Sequence, residues 1–71
     1  MEHLVDARGL ACPLPLIKAQ ATLPLLGEDD TLVVLATDPE APVDIGALAH
    51  DHHMVLDVHL DGETWRLTLR R

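Results

Sequence analysis

Cys12 carries the only thiol of the 71-residue chain, and its neighbours in sequence decide what that sulfur can do. Pro13 follows it at once and Pro15 two residues later, ahead of apolar residues at helical spacing. This is the pattern of a helix start, where the first amides have no intrahelical partner and the fixed φ of proline is already helical. Cys12 is therefore read as the N-cap. A sulfur there faces the positive end of the helix macrodipole, equivalent to roughly half a charge, which favours thiolate over thiol. The two prolines remove two donors from the turn, leaving the Leu14 N–H as one of the few that a capping thiolate can accept from. Upstream, Arg8-Gly9-Leu10-Ala11 reads as a turn in which Gly9 takes a positive φ and swings the cysteine to the surface, with Arg8 adding a nearby positive charge. Lys18, one to two turns along the helix, either assists the thiolate or is an ordinary exposed lysine. The opposing reading of Cys12 is a small buried hydrophobe. One cysteine makes no internal disulfide and has no resolving partner, so its redox chemistry must finish on another molecule.

Other residues with chemical potential are weaker. His50, His52 and His53, with Asp51, have a metal-like composition, but imidazoles two or three residues apart do not share a metal on a regular helix as i, i+4 pairs do. They read as a solvated helix end, and neither a metal nor a cofactor is expected. Asp44 reads as a first-turn helix stabiliser rather than a catalyst. Trp65, the one aromatic residue, is assigned to the core.

Elements that would position the cysteine follow from the pattern. Residues 3–7 form a first strand ended by the Arg8-Gly9 turn. A helix runs from Pro13 to near Leu23, with Leu14, Ile17 and Ala21 as its packed stripe, Leu16 and Leu23 alongside, and Lys18 and Gln20 outward. Pro24 stops it, and residues 24–30 are loop. Residues 31–37 are a continuous aliphatic and β-branched run that suits the best-buried strand, near the middle of a sheet. Asp38-Pro39 closes that strand, and a second helix runs from Ala41 or Pro42 to Asp51 with Ile45, Leu48, Ala49 and His52 inward. Gly46 weakens that helix by roughly 1 kcal/mol relative to alanine. Two alternating strands, residues 54–60 and 64–69, flank Asp61-Gly62, read as a two-residue type I′ turn. The order βαβαββ implies an α/β fold, a two-layer sandwich in which two helices cover a four-stranded mixed sheet. In such sheets the functional crevice lies beyond the carboxyl ends of the strands, which is where Cys12 falls. If the first two strands are parallel, the Asp38-Pro39 loop borders the same surface; the plainer reading is a strand-to-helix turn.

Composition bounds the function classes. The length allows one domain, residues 1–71, and 48% apolar residues are ample for its core. A formal charge of −7, from 12 acidic against 5 basic residues, disfavours direct nucleic-acid binding. The acidic surface reads mainly as solvation. No secretory or membrane-length apolar run is present, so the cytoplasm is the default compartment and no membrane contact is expected.

The stretch Val5-Asp6-Ala7-Arg8-Gly9-Leu10-Ala11-Cys12-Pro13-Leu14-Pro15, with Lys18 a turn later, closely resembles the signature of the TusA-like (SirA-like) sulfur-carrier family. Leu35-Ala36-Thr37-Asp38-Pro39, followed by Asp44-Ile45, resembles the segment joining that family's second strand to its second helix. Cys12, Pro13, Pro15, Gly9 and Asp38 stand as the pattern expects. The chain departs from it after the second helix, where members often carry Gly-His and this chain has His53-Met54. The resemblance implies a persulfide relay rather than a stand-alone turnover enzyme: Cys12 accepts a sulfane sulfur from a protein donor, a cysteine desulfurase or rhodanese-like protein, and passes it to a protein acceptor. The carrier is expected to be a monomer. Carriers of this kind serve tRNA thio-modification, sulfur oxidation and cofactor assembly, and the sequence does not choose among them. The alternatives are a non-catalytic interaction module in which Cys-Pro-x-Pro only shapes a turn, and a redox-regulated adaptor that dimerises through Cys12.

Overall fold

Two strands whose carboxyl ends lie side by side set the geometry of the molecule. In the computed structural model, which describes residues 1–71, β1 (Glu2–Ala7) pairs in parallel with β2 (Thr31–Ala36), from Glu2 opposite Thr31 to Ala7 opposite Ala36. Between them the chain passes through α1 (Leu14–Thr22) and a short 3-10 turn at Leu23–Leu25, and after β2 through α2 (Ala41–Asp51). The hairpin of β3 (Val55–Asp61) and β4 (Thr64–Arg70) completes a sheet of order β1-β2-β4-β3, with β4 antiparallel to both neighbours. The expected α/β sandwich of βαβαββ order, with its four-stranded mixed sheet and two helices, is the fold observed.

Burial follows strand position. Central β2 buries Leu32, Val33, Val34 and Ala36 completely, and β4 contributes Leu67 and Leu69, so the continuous aliphatic run does mark the middle of the sheet. Ala41, Ile45, Leu48 and Ala49 of α2 close over this face. Expected alongside them, His52 instead lies exposed at the C-cap. On β3, an edge strand, only Leu56 packs against the core; Val58 and Leu60 share its face but stay about half exposed, at 49% and 51%. Trp65 is half-buried on β4, opposite Ala36 on one side and Leu60 on the other.

The packed stripe of α1 differs from the expected one. Leu14, Ile17 and Ala21 face solvent, the first two at 47% and 51% exposure, while Pro15, Ala19 and Leu23 are buried and Leu16 is partly so. Leu14 to Ile17 are apolar without interruption, so periodicity does not choose a face. The i, i+4, i+8 row that wins has small Ala19 at its centre, where the side chain is fully buried. The hairpin also turns differently: Asp61 pairs with Thr64, so the central residues are Gly62 and Glu63, and only Gly62 has a positive φ, +63°. Glycine at the first central position is the type II′ pattern rather than type I′, with the same faces preserved along both strands.

His53 closes α2 at the position where the resembled pattern carries glycine. It takes φ 55°, its N–H donates to His50 O at 3.2 Å and the Met54 N–H donates to Ala49 O at 2.8 Å, which together form a Schellman closure, with Met54 and Ala49 both buried in the core. A left-handed conformation costs an L-residue with a side chain roughly 1–2 kcal/mol. Conversely, Gly46 sits inside α2, where an added Cβ would meet only Leu56 Cδ2 at an ordinary 3.8 Å. His53→Gly and Gly46→Ala are each expected to stabilise the fold by about 1 kcal/mol. Thermal unfolding should show each raising Tm by roughly 4–8 °C.

Candidate functional site

Parallel pairing of β1 and β2 delivers two loops to one pole of the sheet: residues 8–13, which carry Cys12, and residues 37–40, which lead into α2. The loops are tied to each other by two hydrogen bonds. The Gly9 N–H donates to Thr37 Oγ1 at 2.9 Å, with Gly9 at the expected positive φ, +79°. The Cys12 N–H donates to Asp38 Oδ2, while Asp38 Oδ1 accepts the Glu40 N–H at 2.8 Å. Asp38 thus shapes the start of α2 and holds the cysteine loop in the same stroke, which is more than a plain strand-to-helix turn. Its carboxyl is held below the usual carboxylate range by these two amides, that of Glu40 first.

Cys12 is exposed at this pole, but it is not the N-cap of α1. The helix begins one residue later than expected, with Pro13 in the cap position at φ −99° and ψ 17° and the Cys12–Pro13 peptide cis. The Leu14 N–H is already taken by Ala11 O at 2.9 Å, so the sulfur has no amide to accept from there. Pro13 lies exposed next to the sulfur, and Pro15 is buried and roots the first turn in the core.

The sulfur turns instead toward α2. The Cys12 Sγ–H donates to Asp44 Oδ2 at 2.9 Å. A carboxylate that accepts the thiol proton favours the neutral form. That hydrogen bond first, then the partial loss of water around the sulfur, then the negative charges of Asp44, Asp38 and Glu40 push the thiol up to about 11. The expected electrostatics are therefore reversed. Arg8 does not serve the cysteine: its Nε and Nη2 grip Asp6 at 2.9 and 2.8 Å, and the Asp6 carboxyl is held down at about 2, chiefly by that pair. Lys18 is exposed on α1 and its charge acts on Asp6. Of the residues read as supporting the site, Gly9, Pro13 and Asp38 lie on the two loops that meet at this pole and Pro15 is buried in the first turn of α1, whereas the charges of Arg8 and Lys18 act on Asp6 of β1. Asp44 was missed as a partner of the sulfur. Its first-turn position in a helix that starts beside the Asp38 loop is a signal in the sequence that it reaches this pole.

An α/β sandwich that presents one exposed thiol on a loop at its strand ends defines a small thiol-presenting domain. Residues 3–71 match the model of the family described as sulfurtransferase TusA, and the chain belongs to that family. It is 43% identical over 54 residues to a provisionally named sulfur carrier protein of Neisseria meningitidis serogroup A, a match covering 75% of this chain and 73% of that protein. To the sulfur carrier protein TusA of Allochromatium vinosum it is 44% identical over 45 residues, 63% of this chain and 59% of the relative. The crystal structure of a SirA-like protein from Desulfitobacterium hafniense shares the fold, with a TM-score of 0.85 at 24% identity over 97% of this chain and 95% of that one. No helix is long and apolar enough to cross a membrane.

Because the folded state binds the Cys12 proton more tightly than a free thiol does, the stability this contributes is present below pH 9.0 and lost as the pH rises through about 11. The rate of iodoacetamide alkylation of Cys12 should accordingly rise with pH to a midpoint near 11 rather than near 9, as followed by mass spectrometry. Asp38→Ala should accelerate amide exchange at Cys12 and Glu40 while leaving β2 and β4 protected.

Proposed function

We propose that the protein is a sulfur carrier whose Cys12 accepts a sulfane sulfur as a persulfide from a protein donor and relays it to a protein acceptor. The observation that carries this reading is the position of the chain's one thiol, exposed on the loop of residues 8–13 at the strand-end pole of a TusA-family fold. In the transfer, the Cys12 sulfur attacks the terminal sulfur of a donor persulfide, the donor's S–S bond breaks, and the donor leaves as a thiolate that takes up the proton Cys12 gave away. No net oxidation occurs, and the single cysteine suffices because the acceptor supplies the next thiol. Donors of cysteine desulfurase or rhodanese type fit this chemistry. With a charge of −7, the carrier would reach any tRNA product through another protein rather than by direct contact. The cytoplasm is the proposed setting, since a reducing compartment keeps the lone thiol free, and the working unit is proposed to be the single domain of residues 1–71 as a monomer.

One observation favours a second reading. A thiol held protonated by Asp44 is slow as a free nucleophile, as a non-catalytic interaction module would have it. The two separate cleanly. Incubation with a cysteine desulfurase and cysteine should add the mass of one sulfur atom to the Cys12 peptide and none to Cys12→Ser. The interaction module instead predicts no mass gain and a Cys12→Ala protein that keeps partner binding.

A further inference from the structure

We propose that Asp44 separates the empty carrier from the loaded one: its carboxylate holds the Cys12 thiol through the S–H···O hydrogen bond and repels the anion that replaces that thiol once a second sulfur is attached. The inference rests on the reading of Cys12 as the persulfide site.

The geometry supports both halves. Asp44 Oδ2 lies 2.9 Å from Sγ, and this is the one side-chain hydrogen bond the carboxylate makes. Its backbone is fixed in the first turn of α2 by its neighbour Ile45, which is fully buried in the core. The carboxylate forms no ion pair, so its charge is not neutralised by a cation. The remaining charges at the pole reinforce it: Asp38 and Glu40 act on the sulfur from the loop before α2, Arg8 after β1 is consumed by Asp6, and Lys18 of α1 acts on Asp6 as well. When a sulfur is added, Sγ loses the proton it donates, and the terminal sulfur lies one S–S bond, about 2 Å, farther out. A persulfide is a stronger acid than the thiol it came from, so the loaded group is an anion in a field of three carboxylates. The empty form is thereby favoured over the loaded one, and sulfur is driven onward to an acceptor. The same contact keeps the idle thiol from reacting with stray electrophiles.

Exchange with a small persulfide tests this with atoms balanced: Cys12–SH and glutathione persulfide give Cys12–S–SH and glutathione, with one S–S bond broken, one formed and the thiol proton passed to glutathione. Asp44→Asn keeps an oxygen acceptor and removes the charge. Its alkylation midpoint should fall by about one to two pH units, and its rate at pH 7 should rise roughly three- to tenfold, since the gain in thiolate outweighs the loss of intrinsic nucleophilicity. At a fixed ratio of glutathione persulfide to glutathione, its persulfidated fraction relative to thiol should be several-fold higher than in the wild type. Glu40→Gln, which alters a charge but not the hydrogen bond, should shift both by less. Asp44→Ala provides the same readouts should the asparagine variant fail to fold, as judged by thermal melting. An unmoved alkylation midpoint, or equal loading of wild type and variant, overturns the role of Asp44 while leaving Cys12 as the sulfur site. Absence of sulfur on Cys12 in every protein overturns both.

Discussion

The parallel ladder between β1 and β2 is the constraint on which the rest depends. Antiparallel pairing would send the cysteine loop and the Asp38 loop to opposite ends of the sheet; the register that sets Ala7 beside Ala36 sends them to the same end. Everything at the site is a consequence of that adjacency. Thr37 reaches Gly9, Asp38 reaches the Cys12 amide, and α2 begins close enough for Asp44 to meet the sulfur. The helices on one face of the sheet make the ladder stable by burying Leu32, Val34 and Ala36 of its central strand.

Within that frame the protein manages a reactive atom by local charge rather than by burial. Its only cysteine stands in the open, a position that in a basic setting would make it a ready nucleophile. The setting is acidic instead, and the nearby arginine spends its two-point grip on Asp6. Exposure of the sulfur and the hold on its proton thus come from different elements. The cysteine loop provides the first, the start of α2 the second.

The architecture was legible in the amino-acid sequence because its signals are backbone-scale. Proline and glycine punctuation, the uninterrupted run of β2 and the alternation of β3 and β4 each require only local chemistry to interpret. Finer features were lost where several local solutions are equivalent. Four apolar residues in a row at the start of α1 leave its inward face to be chosen by packing, and Asp61-Gly62-Glu63 accommodates two turn types that preserve the same strand faces. The motif brings Cys12, Gly9, Pro13, Pro15 and Asp38 to the pole where the two loops meet, but it does not carry the sign of the electrostatics there. The helix dipole is a property of the cysteine's own helix, whereas the decisive group, Asp44, arrives from 32 residues downstream through the sheet.

Trp65 stands at the end of β4 that faces this pole, laterally opposite Ala36, whose other neighbour is the last residue before the cysteine loop. It is the only indole in the chain and it is partly open to water. Ultraviolet-excited emission from the molecule therefore arises at one position, two strands away from the turn that carries the sulfur. The domain contains its own optical gauge, in which a change of solvent contact at that end of the sheet is read without any attached dye.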